Sequence, residues 1–297
     1  MQKIITLDSQ ILNTISLCER RAKYAFIDSI EPRERGESLE RGLLLHHMLE
    51  INEGLRCDLV DLKSETWQKL QEIGILLGAE PFEEFAIRAA RLLATKMDIS
   101  TTEIEEVIFQ FEEYIKYYKD DPWETLAIES VGSKLLYEDM EYKILYTFKI
   151  DRLAKKDNLI VPWDYKTSKR RQITSSLSNQ FIGYAWATGS NYVIVDKIGF
   201  QKTLAPNERF QRIFLSYDNE RIEEWIKNSI FWALQYARLL KEPQTSTMNL
   251  TSCDKYGGCI FRPVCEKGAS ARSWIIERDY KVKEIWDPAK VLEEQEN

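Results

Sequence analysis

Two aspartates and a lysine crowd the stretch IDRLAKKDNLIVPWDYKT, residues 150–167. Asp151 lies near the end of one apolar run, and Asp164 and Lys166 near the end of the next. Asp157 and Asn158, both good turn residues, join the runs as a hairpin. Residues whose numbers sum to about 315 then face each other, as Asp151 and Asp164 do. Directly opposed side chains stand roughly 5 Å apart at Cβ. Lys166 shares the face of Asp164, because side chains alternate along a strand. Two carboxylates so placed repel unless a cation lies between them. Hard oxygen donors of this kind suit Mg²⁺ or Mn²⁺. Such an ion polarises a phosphodiester and activates a bound water, while a neighbouring lysine steadies the water or the charge developing on phosphorus. An ordinary charged, solvated strand face accounts for the same residues.

The preceding hairpin turns near Glu138 to Glu141, which sets Glu129 opposite residue 150 or 151 as a third acid of the patch. A slip of one residue would send it to the other face, and Pro162 hints at an edge or a bulge. His46 and His47 are the two histidines of the chain. His46 shares a helix face with Leu43, Leu49 and Glu50, so its ring can point inward beside the acids; His47 reads as structural. Gln180 and Tyr184, four residues apart, share a helix face and suit the polar rim of a helix packed on a sheet.

Cys18, Cys57, Cys253, Cys259 and Cys265 are an odd set and do not read as a disulfide framework. Three of them form C-x5-C-x5-C, which points to a metal. Zinc sites more often use C-x2-C pairs and bacterial ferredoxins a tighter run, so the spacing leaves zinc and iron–sulfur both open. Cys57 reads as a spare, small core residue.

These residues need elements to position them. The 297 residues suit one large domain or two small ones. Helices are expected over 9–26 and over 37–54, the latter ending at Gly54. A helical region follows over 64–120, where Ser100 and Glu103 make a capping box. From 125 the period changes to strands: 126–136, 142–153 and 159–166. A helix over 175–188 stops at Gly189. Strands near 191–200 and 209–216 and a helix over 219–241 follow, then a turn-rich tail with little regular structure until 270. The class is α/β: a mixed central sheet flanked by helices, with an added helical region and a C-terminal cysteine loop.

A net charge of −7 argues against nonspecific nucleic-acid binding over the whole surface. Local basic clusters remain, among them Lys169, Arg170 and Arg171 directly after the hairpin. The chain has no apolar run long enough to span a membrane and no apolar segment near Met1 that reads as a signal peptide, so the cytoplasm is the expected location.

The motifs together resemble one family. "KIDRL…VPWDYKTSK" resembles the D…(D/E)-x-K core of the PD-(D/E)xK nuclease superfamily. "RGLLLHHMLE", "QFIGYAW" and "CDKYGGCIFRPVC", with Cys18 in "LCERRAKY", resemble further motifs of its RecB-like branch. That branch includes phage RecB-like exonucleases, CRISPR adaptation nucleases and the AddB nuclease domain. Each motif alone is weak; all five stand in the family's order, from about residue 10 to 268. One departure is Phe148, where the family often has glycine.

The resemblance implies a restriction-endonuclease-like fold in a single nuclease domain over 1–297, with a catalytic sheet core at 125–217 and a cysteine-cluster loop at 250–268; the helical region at 55–122 matches nothing specific in the family and reads as an insertion. It implies catalysis by Asp151, Asp164 and Lys166, to which the strand count adds Glu129, and a Mg²⁺ or Mn²⁺ ion on His46, Asp151 and Asp164. It implies DNA contacts by Gln180, Tyr184, Lys169, Arg170 and Arg171, and a structural [4Fe–4S] cluster on Cys18, Cys253, Cys259 and Cys265. The implied activity is exonucleolytic, on DNA ends or single strands. The alternatives are a non-catalytic iron–sulfur DNA-binding module, or an end-trimming subunit working with recombination or CRISPR-adaptation proteins. No P-loop is present.

Overall fold

The alternating pattern after residue 124 forms long strands. In chain order the computed structural model has β1 (Lys3–Leu7), α1 (Ser9–Leu17), α2 (Glu19–Ala22), β2 (Ile30–Pro32), α3 (Ser38–Cys57), α4 (Glu65–Ile73), α5 (Phe82–Leu93) and α6 (Thr101–Tyr117). There follow β3 (Glu124–Glu138), β4 (Tyr142–Lys156), β5 (Leu159–Ser168), α7 (Asn179–Thr188), β6 (Tyr192–Gly199), α8 (Pro206–Arg209) and β7 (Phe210–Ser216). The chain continues with α9 (Asn219–Lys241), α10 (Arg262–Cys265), α11 (Ala269–Asp279) and β8 (Tyr280–Val282). The structure describes residues 2–33, 38–75, 78–97, 99–168, 175–255, 258–285 and 287–288.

The main sheet is mixed, and helices flank it, as the sequence predicts. Its strands run in the order β1-β4-β5-β6-β7, with β3 also paired to β4. Among the described residues the chain forms two compact units. The first comprises Met1–Arg35, Ser133–Phe148 and Asn219–Glu293. In it β1 lies parallel to the start of β4, Lys3 opposite Tyr142 and Leu7 opposite Tyr146. A small antiparallel ribbon joins β2 to β8. Tyr24, Ile30, Phe261, Val264, Ile275 and Tyr280 pack into a core under the ribbon, with Cys259 and Cys265 against it.

The second unit comprises Gly36–Gly132 and Lys149–Asp218. Its core gathers Leu44, Leu45 and Met48 of α3, Phe85 of α5, Phe111 of α6 and the strand residues Ala154, Val161, Trp163 and Ile194. Here β5 is antiparallel to β4 and parallel to β6, and β7 runs antiparallel to β6. Pro162 sits in the regular ladder opposite Leu153. It needs no N–H toward β6, because that pairing begins at Trp163.

Several expected elements differ. The helix over 9–26 is broken at Cys18, whose backbone is extended (φ −168°, ψ 119°). That residue closes one helix and opens the next: its N–H donates to Thr14 O at 3.0 Å, and its carbonyl accepts from Ala22 N–H at 3.1 Å. A single turn of π-helix, Lys23–Ile27, follows α2. The helix α3 runs past Gly54 to Cys57. Gly54 serves close packing instead of termination, since a Cβ there would meet Ile128 Cδ1 at 2.9 Å. The region over 64–120 resolves into α4, α5 and α6. The Ser100–Glu103 capping box is formed at the start of α6. The helix expected from 175 begins at Asn179, and Gly189 ends it in the left-handed conformation (φ 71°).

Candidate active site

The β4–β5 ladder runs from Lys156 opposite Leu159 to Arg152 opposite Trp163, every pair on the expected register. The ladder ends one pair short of Asp151 and Asp164. There the Asp151 carboxylate replaces a backbone partner: its Oδ2 accepts from the Tyr165 N–H at 2.8 Å. The same oxygen lies 3.6 Å from His46 Nδ1. Thus α3 places His46 over the strand end, as its face pattern predicts. The close approach of α3 to β5 depends on Gly42, where a Cβ would stand 2.8 Å from Thr167 Oγ1.

Asp164 is buried, with 1 % of its surface exposed. Its Oδ1 accepts from Lys166 Nζ at 3.0 Å and from Gln180 Nε2 at 2.9 Å. Its Oδ2 faces Lys166 Nζ at 2.8 Å but accepts no well-directed hydrogen bond. Gln180 also donates to the Tyr184 hydroxyl at 2.8 Å, and that hydroxyl donates to the Lys149 carbonyl. Tyr184 itself is buried. The pair therefore forms a brace from α7 to the carboxylate and to the backbone of β4.

Glu129 interrupts β3 with a left-handed backbone, φ 47°. This local twist is unusual for a residue with a side chain. The carboxylate pairs with Lys149. Beneath it lies Glu50, one helical turn after His46, bonded by the Ser64 and Thr66 hydroxyls. The i, i+4 spacing to His46 is the sequence signal for Glu50. Lys149 carries no comparable signal, because nothing local marks it as a partner of Glu129.

The electrostatics bind these groups into one set. Burial pushes Asp164 up to about 7, against the pull of Lys166 and with help from the charge on Asp151. Burial pushes Glu129 up to about 8 despite Lys149, with Asp151 and Glu50 adding to the rise. Glu50 is raised as well, chiefly by burial. Burial lowers His46, and the Asp151 charge offsets part of that. For Lys166 burial works against the charge, and Asp164 and Asp151 outweigh it and raise the pKa. Asp164 and Glu129 are thus held above the usual carboxylate range, and Asp164 Oδ2 is buried without a hydrogen bond.

The family model of the PD-(D/E)XK nuclease superfamily matches residues 9–266. The chain belongs to the PD-(D/E)XK nuclease superfamily. No curated protein matches it. Solved structures similar to it include a protein from Eubacterium rectale assigned as an exonuclease, at 10 % identity and a TM-score of 0.41, covering 84 % of this chain and 86 % of that one. The alkaline exonuclease LHK-Exo from Laribacter hongkongensis is 9 % identical, with a TM-score of 0.33 and coverage of 70 % and 96 %. A phage related exonuclease from Haemophilus somnus is 13 % identical, with a TM-score of 0.30 and coverage of 65 % and 95 %.

Members of the PD-(D/E)XK superfamily typically use divalent metal ions. The donors here fit one in type and charge: the carboxylates of Asp151, Asp164 and Glu129 and the His46 imidazole. In the orientations seen, no three His, Cys, Asp or Glu side chains among the described residues are gathered closely enough to hold an ion. The ammonium groups of Lys149 and Lys166 stand against two of the acids instead. Lys169, Arg170 and Arg171 lie outside the described residues.

The remaining candidates belong to the first unit. The charges of Cys18 and Cys259 act on both Cys253 and Cys265, so the four thiols share one region. Cys18 Sγ accepts from the Asn249 N–H at 3.5 Å and lies 3.8 Å from Thr247 O. Cys259 N–H donates to Cys253 O at 2.8 Å, folding the loop back on itself. All five cysteines are free thiols. Cys57 belongs to the second unit, beside Glu53. Among the described residues no helix is long and apolar enough to cross a membrane.

Proposed function

We propose that the chain is a metal-dependent deoxyribonuclease, an exonuclease hydrolysing phosphodiesters at DNA ends or on single strands in the cytoplasm. The observation that carries this reading is the convergence of Asp151, Asp164 and Lys166 at the point where β4 and β5 part, beneath His46 and beside Glu129. Bound Mg²⁺ or Mn²⁺ would supply Lewis acidity to the scissile phosphate and acidify a water. His46, Asp151 and Asp164 would hold the ion, and an imidazole among the donors suits Mn²⁺. Lys166 keeps its proton and can steady an attacking water or the charge growing on the phosphate oxygens. Glu129, raised by burial and paired with Lys149, can give or take a proton at the edge of the site. Gln180 fixes the Asp164 carboxylate, and Tyr184 fixes Gln180. Gln180 and the run Lys169, Arg170 and Arg171 stand on the DNA side of the site in this reading, with the buried Tyr184 behind Gln180 as its support.

The proposal includes a structural [4Fe–4S] cluster on Cys18, Cys253, Cys259 and Cys265. Four free thiols in one region and the order of the family's motifs support it. A four-iron cluster is wider than a single ion, so its thiolates stand further apart than the ligands of one metal.

End-labelled single- and double-stranded DNA, digested with the anaerobically purified protein in Mg²⁺ or Mn²⁺, tests the activity. Products that shorten from one end are expected. Absence of products, or products unchanged in Asp151→Asn, would overturn the assignment.

A further inference from the structure

A cavity of about 170 Å³ opens in the second unit, between α3, the end of α6 and the strands β4 and β5. None of Asp151, Asp164, Lys166, His46 or Glu129 lines it. Tyr165 lies between Asp164 and Lys166, and alternation along β5 sends its side chain to the opposite side of the strand. The cavity is therefore a separate site, reached through the same strand.

Two mostly buried side chains in its wall, Asn52 and Tyr165, turn polar atoms toward the cavity. Asn52 is 4 % exposed and Tyr165 6 %. Neither the Asn52 amide nor the Tyr165 hydroxyl hydrogen-bonds any described residue. The charged residues around them are already spoken for. Arg152 donates to Thr125 Oγ1 at 2.8 Å, to Asp121 Oδ2 at 3.1 Å and to Trp123 O at 2.8 Å. Glu53 is paired with Arg56 at 2.7 Å. The interior thus offers hydrogen bonds without net charge. Its other walls are aromatic: Tyr114 meets Tyr165 edge to face at 6.1 Å and Tyr118 at 5.0 Å. At the mouth stand Lys119 and Glu83, both exposed, and Lys119 has no ion partner among the described residues.

We propose that this cavity binds a nucleoside monophosphate. The amide of Asn52 presents the donor and acceptor pair that matches the edge of an adenine base. The tyrosine rings give the base a stacking surface. The Lys119 ammonium faces the phosphate. The proposal stands apart from the nuclease reading, because no proposed catalytic side chain takes part.

Calorimetric titration of the full chain with adenosine 5′-monophosphate and with adenosine, in EDTA, tests it. Saturable binding at one site per chain is expected, with the monophosphate tighter. Asn52→Leu should weaken both ligands at least about tenfold. Lys119→Met, on the exposed rim, should bring the monophosphate down to the affinity of adenosine and leave adenosine unchanged. Asp164→Asn should bind like the parent. If Asn52→Leu does not fold, Lys119→Met carries the test alone. No saturable binding, unchanged binding in Lys119→Met, or loss of binding in Asp164→Asn would each overturn the site. The first would leave the cavity to water, and the last would move the ligand to the catalytic acids.

Discussion

Asp164 carries its charge at a cost. It is buried, burial pushes its pKa up to about 7, and among the described residues Lys166 and Gln180 hydrogen-bond it. Asp164→Asn keeps the oxygen that accepts from Gln180 and removes the charge. The variant should fold with the parent's circular dichroism and cleave no end-labelled DNA; retained cleavage would remove Asp164 from the chemistry. The two histidines should separate cleanly. His46→Ala should shift the Mn²⁺ dependence of cleavage to higher concentration, and His47→Ala should leave that dependence in place. His47 is instead a folding residue, its Nδ1 2.7 Å from the Thr66 hydroxyl and its ring buried. Burial, with the charge of Lys69, holds it down to about 4, below the ordinary histidine value of 6.5. The unfolded chain therefore takes up the proton first. The stability held in the neutral ring is whole above pH 6.5 and is lost as pH falls from there through about 4. The loss approaches about 3 kcal/mol. Urea unfolding from pH 8 downward should show a shallower acid slope in His47→Gln; parallel slopes would contradict the assignment.

Helix α6 begins with a reciprocal cap. The Glu103 N–H donates to Ser100 Oγ at 3.3 Å, and Glu103 Oε2 accepts from the Ser100 N–H at 3.1 Å. Ser100→Ala should cost about 1 kcal/mol, read as a lower denaturant midpoint with cleavage unchanged. This cap was legible in the sequence because both of its members lie within one turn. So was the β4–β5 register, fixed by a turn of two residues. Strand β1 was not: its partner begins at Tyr142, and no local turn announces a parallel pairing so distant in sequence. The β2–β8 ribbon was hidden for the same reason. Glu129 was named from a count that assumes a regular strand. The structure brings it beside Asp151 through a left-handed residue that counting does not foresee. The break at Cys18 was equally hidden, because its flanks are good helix formers and only the extended backbone of one residue separates them.

The chain enters the first unit three times, and the four cysteines come from its first and last passages. A link between Cys18 and the loop at 253–265 closes a very long stretch of chain and so restricts the unfolded state. Protein purified without oxygen should be brown, with labile sulfide and iron. Cys18→Ser should lose both and unfold at a lower temperature, while Cys57→Ser keeps them; stoichiometric zinc without sulfide would mean a zinc site. The left-handed residue in β3 sets the molecule's chemistry against its durability. Glycine adopts such a φ freely, and relief of the strain is worth about 1 kcal/mol. It would also remove a buried acid. Glu129→Gly should therefore melt higher than the parent while cutting DNA poorly. A laboratory population of this gene, propagated under a screen for heat resistance alone, should accumulate that replacement early, and the survivors would be hardy and inert.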